Sequence, residues 1–116
     1  MPDVDTIHRY YELVDEGAVD ALVDLFSDDI VYRRPGHPPI EGIEAFRAFY
    51  EEGRPIGASN HSIEATYIDG ETVIVRGRFS GTLAGDEVAF GFVDIHHFDA
   101  EGSIDKRWTY TDIGTV

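Results

Sequence analysis

The chain has 116 residues and a formal net charge of -14, with 23 Asp and Glu against nine Lys and Arg. That length fits one domain with one core, and a hydrophobic share of 42% excludes a disordered chain. The sequence has no cysteine, which excludes a disulfide framework, a thiolate metal site and a Cys nucleophile. Its acidity repels phosphate backbones and anionic lipid, so neither nucleic acid nor membrane is expected as a partner.

Lys106 is the one lysine. An acidic, lysine-poor surface has two readings, plain solubility and life in a salt-rich cytoplasm that screens self-repulsion, and composition leaves both open. The opening Met-Pro-Asp-Val-Asp carries neither the basic region nor the apolar run of a secretory signal. No apolar stretch approaches the roughly 20 residues of a membrane span. The expected location is cytoplasmic.

Ile7, Tyr10, Tyr11 and Val14 recur at helical spacing, with Asp3 and Asp5 suited to the start and Gly17 to the stop. A second short helix is predicted with Ala18, Ala21, Leu22, Leu25 and Phe26 on one side, ended by Ser27-Asp28-Asp29. Ile30 to Arg34 reads as a short strand, closed by Pro35. The loop Pro35-Gly36-His37-Pro38-Pro39 is incompatible with helix or central strand. A third helix is predicted from about Gly42 to Glu52, burying Ile43, Phe46, Phe49 and Tyr50, with Gly53 and Pro55 as its stop. From there the period alternates, and strands are predicted at 61–68, 72–83, 87–98 and 104–112. Asp69-Gly70, Gly85-Asp86 and Ala100-Glu101-Gly102 mark the turns between them. Helices first and an antiparallel meander after is an α+β order.

The strand at 87–98 is the most informative. Val88, Phe90, Phe92, Asp94, His96 and Phe98 share one face, and its rings mark that face as inward. A carboxyl is thereby set among phenylalanines, where burial raises its pKa unless a cation or donors compensate. In the strand at 72–83, Val73, Val75 and Phe79 point inward and Arg76 and Arg78 outward, unless a bulge turns one arginine into the pocket. In the last strand Trp108, Tyr110 and Asp112 alternate with Arg107, Thr109 and Thr111, and periodicity does not choose between the two sets.

The run from Val93 through Asp94, His96, His97 and Gly102 to Ile104 resembles the strand-turn-strand of ketosteroid isomerases. Arg9-Tyr10 through Gly17, then Asp20 and Leu25 to Asp29, resembles their first two helices, and Gly42 to Tyr50 their third. The element order is similar to the wider NTF2-like superfamily, including SnoaL-like polyketide cyclases and limonene-epoxide-hydrolase-like proteins. The resemblance implies an α+β cone, with three N-terminal helices packed on a strongly curved, mainly antiparallel sheet around a pocket. It also implies a homodimer, a small-molecule ligand and no cofactor.

Residue by residue, Tyr10 matches the tyrosine that donates to the substrate oxyanion, and Asp94 the neutral aspartic acid beside it. Tyr50 matches the tyrosine that supports the first. The isomerase's general-base aspartate falls on Arg34, and arginine takes no proton near neutral pH. The His-Trp-Asp triplet of the cyclases reads Arg107-Trp108-Thr109. Tyr10, Asp94 and His96 are therefore the candidate catalytic residues, with His96 two residues from Asp94 as the candidate base. Tyr32, Arg34, Tyr50, His61, Phe90, Phe92, Arg107 and Trp108 are candidate ligand contacts, and Asp94 could instead form a structural pair with Arg34 or Arg107. With two ligands placed and no third, no metal site is expected. Three functions stay open. One is an isomerase or cyclase working through an enolate, another a binding module that lost its base, and the third a water-activating hydrolase.

Overall fold

The computed structural model describes residues 3–53, 56–83 and 85–113. The first helix, α1, runs Val4–Glu16. The Asp3 side chain accepts the backbone N–H of Asp5 at its start. Gly17 ends it in the left-handed region at φ 73°, its N–H reaching Leu13 and Val14 carbonyls. A side chain there would be strained, which is why glycine serves as the stop. Ile7, Tyr10, Tyr11, Leu13 and Val14 form its buried stripe.

Two predicted helices are shorter than expected. The second, α2, covers Val19–Val23, and Phe26 already opens strand β1, Phe26–Arg33. Leu25 and Phe26 fit a helical stripe, but pairing with the last strand holds them extended: Ile104 donates to the Leu25 carbonyl and Phe26 faces Ile104. A two-residue strand β2, Ile40–Glu41, follows the Pro-rich loop and was not expected. The third helix, α3, is Ile43–Ala48, continued by a wider π turn over Phe49–Gly53. Pro55, expected as its stop, lies outside the described residues.

Strands β3 (Ile56–Asp69), β4 (Thr72–Leu83), β5 (Asp86–Phe98) and β6 (Ile104–Thr111) form the meander. The sheet order is β2-β1-β6-β5-β4-β3 in one curved six-stranded sheet that does not close. All pairs are antiparallel except β1 with β6, where Tyr32 faces Arg107. The expected inward sets hold: Val73, Val75, Gly77 and Phe79 on β4 are buried while Arg76 and Arg78 are exposed. Phe90 through Phe98 alternate buried and half-buried on β5. On β6 the inward set is Ile104, Arg107 and Thr109.

The core lies between the helices and the concave sheet face. Ile7, Leu22, Ile30, Phe46, Phe79, Phe98 and Ile104 are essentially sealed from solvent. Burying each such side chain contributes roughly 1.5–3 kcal/mol over leaving it exposed. Gly77 sits opposite Phe92, and a Cβ there would run into the Phe92 ring and the Ser62 carbonyl. Its missing side chain is what lets that ring approach the β4 backbone so closely. Among the described residues no helix is long and apolar enough to cross a membrane.

Candidate functional site

The concave face ends in a small cavity that opens to solvent. Val14, Phe49, Phe79, Phe90 and Phe92 supply an apolar wall, and Tyr10, Tyr32, Arg34, Tyr50, His61, Asp94, Arg107 and Thr109 supply the polar groups. Nine of the expected site residues are thus brought together there, Asp94 and Tyr10 among them, from α1, β1 and the residue after it, the π turn, β3, β5 and β6.

The deep end is organised around Asp94, which is 2% exposed. Arg107 NH2 donates to its Oδ2 at 2.8 Å, the Tyr11 hydroxyl to the same oxygen at 2.5 Å, and the Thr109 hydroxyl to Oδ1 at 2.6 Å. The Tyr32 hydroxyl lies 2.9 Å from Thr109 Oγ1 and extends the chain. Thr109 has one proton, given to Asp94, so Tyr32 is the donor to Thr109.

Burial acts to raise the Asp94 pKa, but Arg107, followed by the smaller contributions of His96 and the Thr109 and Tyr11 hydroxyls, brings it below the ordinary carboxylate value. The residue is a carboxylate, with no proton to give. The expectation of a neutral Asp94 donating to an oxyanion is overturned by this arrangement. Its partner is Arg107, not Arg34.

His96 is fully buried and is not part of the cavity wall. Its Nε2 lies 3.2 Å from the Tyr11 hydroxyl. Tyr11 gives its proton to Asp94, so its oxygen can only accept, and His96 must carry its hydrogen on Nε2. Nδ1 is then a bare lone pair, and it has no hydrogen-bond partner. Burial and the nearby Arg107 charge push the His96 pKa down to about 3, against a smaller opposing pull from Asp94. A ring this buried and this weakly basic does not serve as the base expected from its place beside Asp94.

Arg107 is 3% exposed. Its guanidinium carbon lies 4.6 Å from the Tyr10 ring centroid and 4.5 Å from that of Tyr32, so the cation is stacked between two tyrosines. Burial works against its charge, but Asp94 and then the three neighbouring tyrosines raise its pKa well above the ordinary value. NH2 is bonded to Asp94, while Nε and NH1 have no hydrogen-bond partner. The Tyr10 and Tyr50 hydroxyls meet at 2.5 Å, the pairing expected of them. Burial raises the pKa of Tyr10, Tyr11 and Tyr32, keeping all three protonated as donors. Arg34 lies over the Phe49 ring, 4.2 Å from its centroid.

Trp108 is the expected ligand contact that the fold does not deliver. It belongs to the outward set of β6, with Arg33 5.8 Å from its ring centroid, because Arg107 and Thr109 take the inward positions.

At another part of the wall, His61 carries a partner that sequence reading missed. The Asp15 carboxylate accepts from His61 Nδ1 at 2.6 Å, from the His61 backbone N–H at 2.9 Å and from the Ser59 hydroxyl at 2.5 Å. Asp15 stands one turn beyond Tyr11 on the edge of the buried stripe of α1, and that i+4 position was the available signal. The His61 ring packs on Tyr11, Phe79 and Phe92 with centroids 5.2, 5.2 and 5.5 Å away. Tyr11 and Thr109 were the other omissions. Tyr11 shares the helical face of Ile7, Tyr10 and Val14 and lies in the core, with its hydroxyl on Asp94.

Solved structures share this architecture. An LEH-like epoxide hydrolase of M. tuberculosis superposes with a TM-score of 0.81 at 17% identity, covering 94% of this chain and 81% of that one. An NTF2-like protein of unknown function from Exiguobacterium sp. 255-15 gives 0.78 at 27% identity, with 92% and 98% covered. A protein described as a SnoaL-like polyketide cyclase, from Jannaschia sp. CCS1, gives 0.75 at 21% identity, with 95% and 85% covered. The family model of the SnoaL-like domain matches residues 7–107, from within α1 to the middle of β6, and the chain belongs to that family.

Proposed function

We propose that the protein binds a small, largely apolar molecule through one carbonyl or carboxylate oxygen. The observation that carries this reading is the Arg107 guanidinium. It is buried in the cavity wall, fixed by Asp94 and two tyrosine rings, and retains N–H donors that no protein group accepts. A buried donor without an acceptor is costly, roughly 1–3 kcal/mol and more for a charged group, and a ligand oxygen relieves that cost. The surrounding rings suit an apolar body.

The water-activating hydrolase reading has less support. It calls for a second acid in the cavity, and Asp94 is the one carboxylate among the described wall residues, already engaged by Arg107.

Three probes with one ring system test the reading: indan-2-one, indane-2-carboxylate and indane, titrated by ligand-observed NMR. The expected result is that the two oxygenated probes bind at least about tenfold more tightly than indane, a difference of ~1.4 kcal/mol. Equal affinity for all three would overturn it.

A further inference from the structure

The polar groups of the cavity wall do not all turn a hydrogen toward a ligand. Asp94 is a carboxylate and accepts from Arg107, Tyr11 and Thr109. The Thr109 hydroxyl has one proton, and it goes to Asp94 Oδ1 at 2.6 Å. Thr109 Oγ1 therefore meets the Tyr32 hydroxyl, 2.9 Å away, with a lone pair, and the Tyr32 proton is drawn into that contact. The charge on Asp94 thus fixes the direction of a hydroxyl that it does not touch. With its proton given to Thr109, the Tyr32 oxygen has only lone pairs left. Among the described residues Thr109 is its one hydrogen-bond partner. Arg107 lies on the face of the Tyr32 ring, 4.5 Å from the centroid, with Nε and NH1 bonded to no acceptor. Tyr32 and Arg107 face each other across the parallel pairing of β1 with β6, and both line the cavity. The wall therefore sets a hydrogen-bond acceptor beside its donors.

We propose that the molecule held here is an α-hydroxy ketone with a ring body: its carbonyl oxygen accepts from Arg107, and its hydroxyl donates to the Tyr32 oxygen. This rests on the oxygen-binding reading above and narrows it. The two polar atoms of this class sit on adjacent carbons, as the donor and the acceptor sit on paired residues of neighbouring strands. A simple ketone satisfies Arg107 but leaves the Tyr32 lone pairs against carbon. An ionised carboxylic acid has no hydrogen to give them either. Tyr32 is the specificity-determining residue, and Thr109 is the positioning residue that takes its proton.

The test compares three probes by ligand-observed NMR. They are 2-hydroxyindan-1-one, 2-methylindan-1-one, in which a methyl of similar size replaces the hydroxyl, and 2-methylindane, which lacks the carbonyl as well. A hydroxyl loses its water on entering the cavity, so it weakens binding unless an acceptor meets it. The sign of the difference between the two ketones is therefore the readout. The hydroxy ketone is expected to bind about tenfold more tightly than the methyl ketone. Tyr32→Phe keeps a ring on Arg107 and removes the acceptor, and the advantage of the hydroxy ketone is expected to vanish. A merely structural role for Tyr32 would weaken both ketones together and leave their ratio unchanged. In the wild-type protein, equal or weaker binding of the hydroxy ketone, with 2-methylindan-1-one still ahead of 2-methylindane, would overturn the proposal and spare the oxygen site. That arm decides whether or not the variant folds. An advantage that survives in folded Tyr32→Phe would overturn the assignment as well. If 2-methylindan-1-one bound no more tightly than 2-methylindane, the oxygen site and this inference would fall together.

Discussion

Two aspartates face the inside of this molecule, each with a histidine close by, and the fold puts them to different uses. Asp94 and His96 are neighbours on β5 and both are sealed from solvent. Asp15 and His61 come from α1 and β3, and their side chains are 23% and 12% exposed. In the deep pair the carboxylate belongs to an arginine, and the histidine reaches it only through the Tyr11 hydroxyl. In the shallower pair the carboxylate holds the imidazole directly. Residue type and proximity in sequence favour the first pair as chemistry. Partner identity and burial set the second apart, since its imidazole is held by a carboxylate and is less deeply sealed.

The comparison breaks most sharply at Arg107. Arg107→Ala leaves the Asp94 carboxylate buried without its cation and is expected to cost about 3–5 kcal/mol in urea unfolding. Replacing Asp94 and Arg107 together with apolar residues is expected to cost less than Arg107→Ala alone. If the double variant were the less stable one, the pair would be contributing more than mutual neutralisation.

His96 gives the next test. Its folded pKa of about 3 lies below the ordinary 6.5. The unfolded chain therefore binds the extra proton between these values, and stability falls as pH falls from 6.5 toward 3. Each pH unit within the window costs up to about 1.4 kcal/mol. His96→Gln removes this contribution, so its stability curve is expected to be flatter than wild type there. Parallel curves would show that His96 takes up its proton while folded.

Asp15→Asn is expected to cost about 1–2 kcal/mol, because the charge-assisted bonds it removes are partly exposed. The smallest effect is expected on the outer face. There His97 Nδ1 meets Asp105 at 2.6 Å, with side chains 33% and 23% exposed, and Asp105→Asn should change stability by less than about 0.5 kcal/mol. A cost equal to that of Asp15→Asn would remove the distinction drawn between the inner and outer pairs.

The inward faces of α1, β4 and β5 were legible in the sequence because each has one buried side and a clean period. Tyr10, Phe90, Phe92 and Asp94 lie where that period puts them. The faces of β6 were not legible, because both of its alternating sets mix rings with polar groups. What decides for Arg107 is contact with Tyr10, Tyr32 and Asp94 from three other elements. The ionisation of Asp94 was hidden for the same reason, since it depends on which arginine arrives. The Asp15–His61 contact joins residues far apart in the chain, and no local pattern links them. The start of β1 was misread because Leu25 and Phe26 satisfy a helical stripe locally while pairing with β6 decides otherwise.

The parallel pairing of β1 with β6 sets a time order on the making of the site. Tyr10 and Tyr32 emerge early from the ribosome, but the cation that stacks between them arrives only with the final strand. β6 pairs with β1 across most of the chain's length, and such long-range closures are slow steps in folding. Until then the aromatic rings of the N-terminal third have no sheet to cover them. The newborn chain thus presents an apolar surface until β6 has been made. Its many carboxylates, already charged, would keep such half-made chains apart.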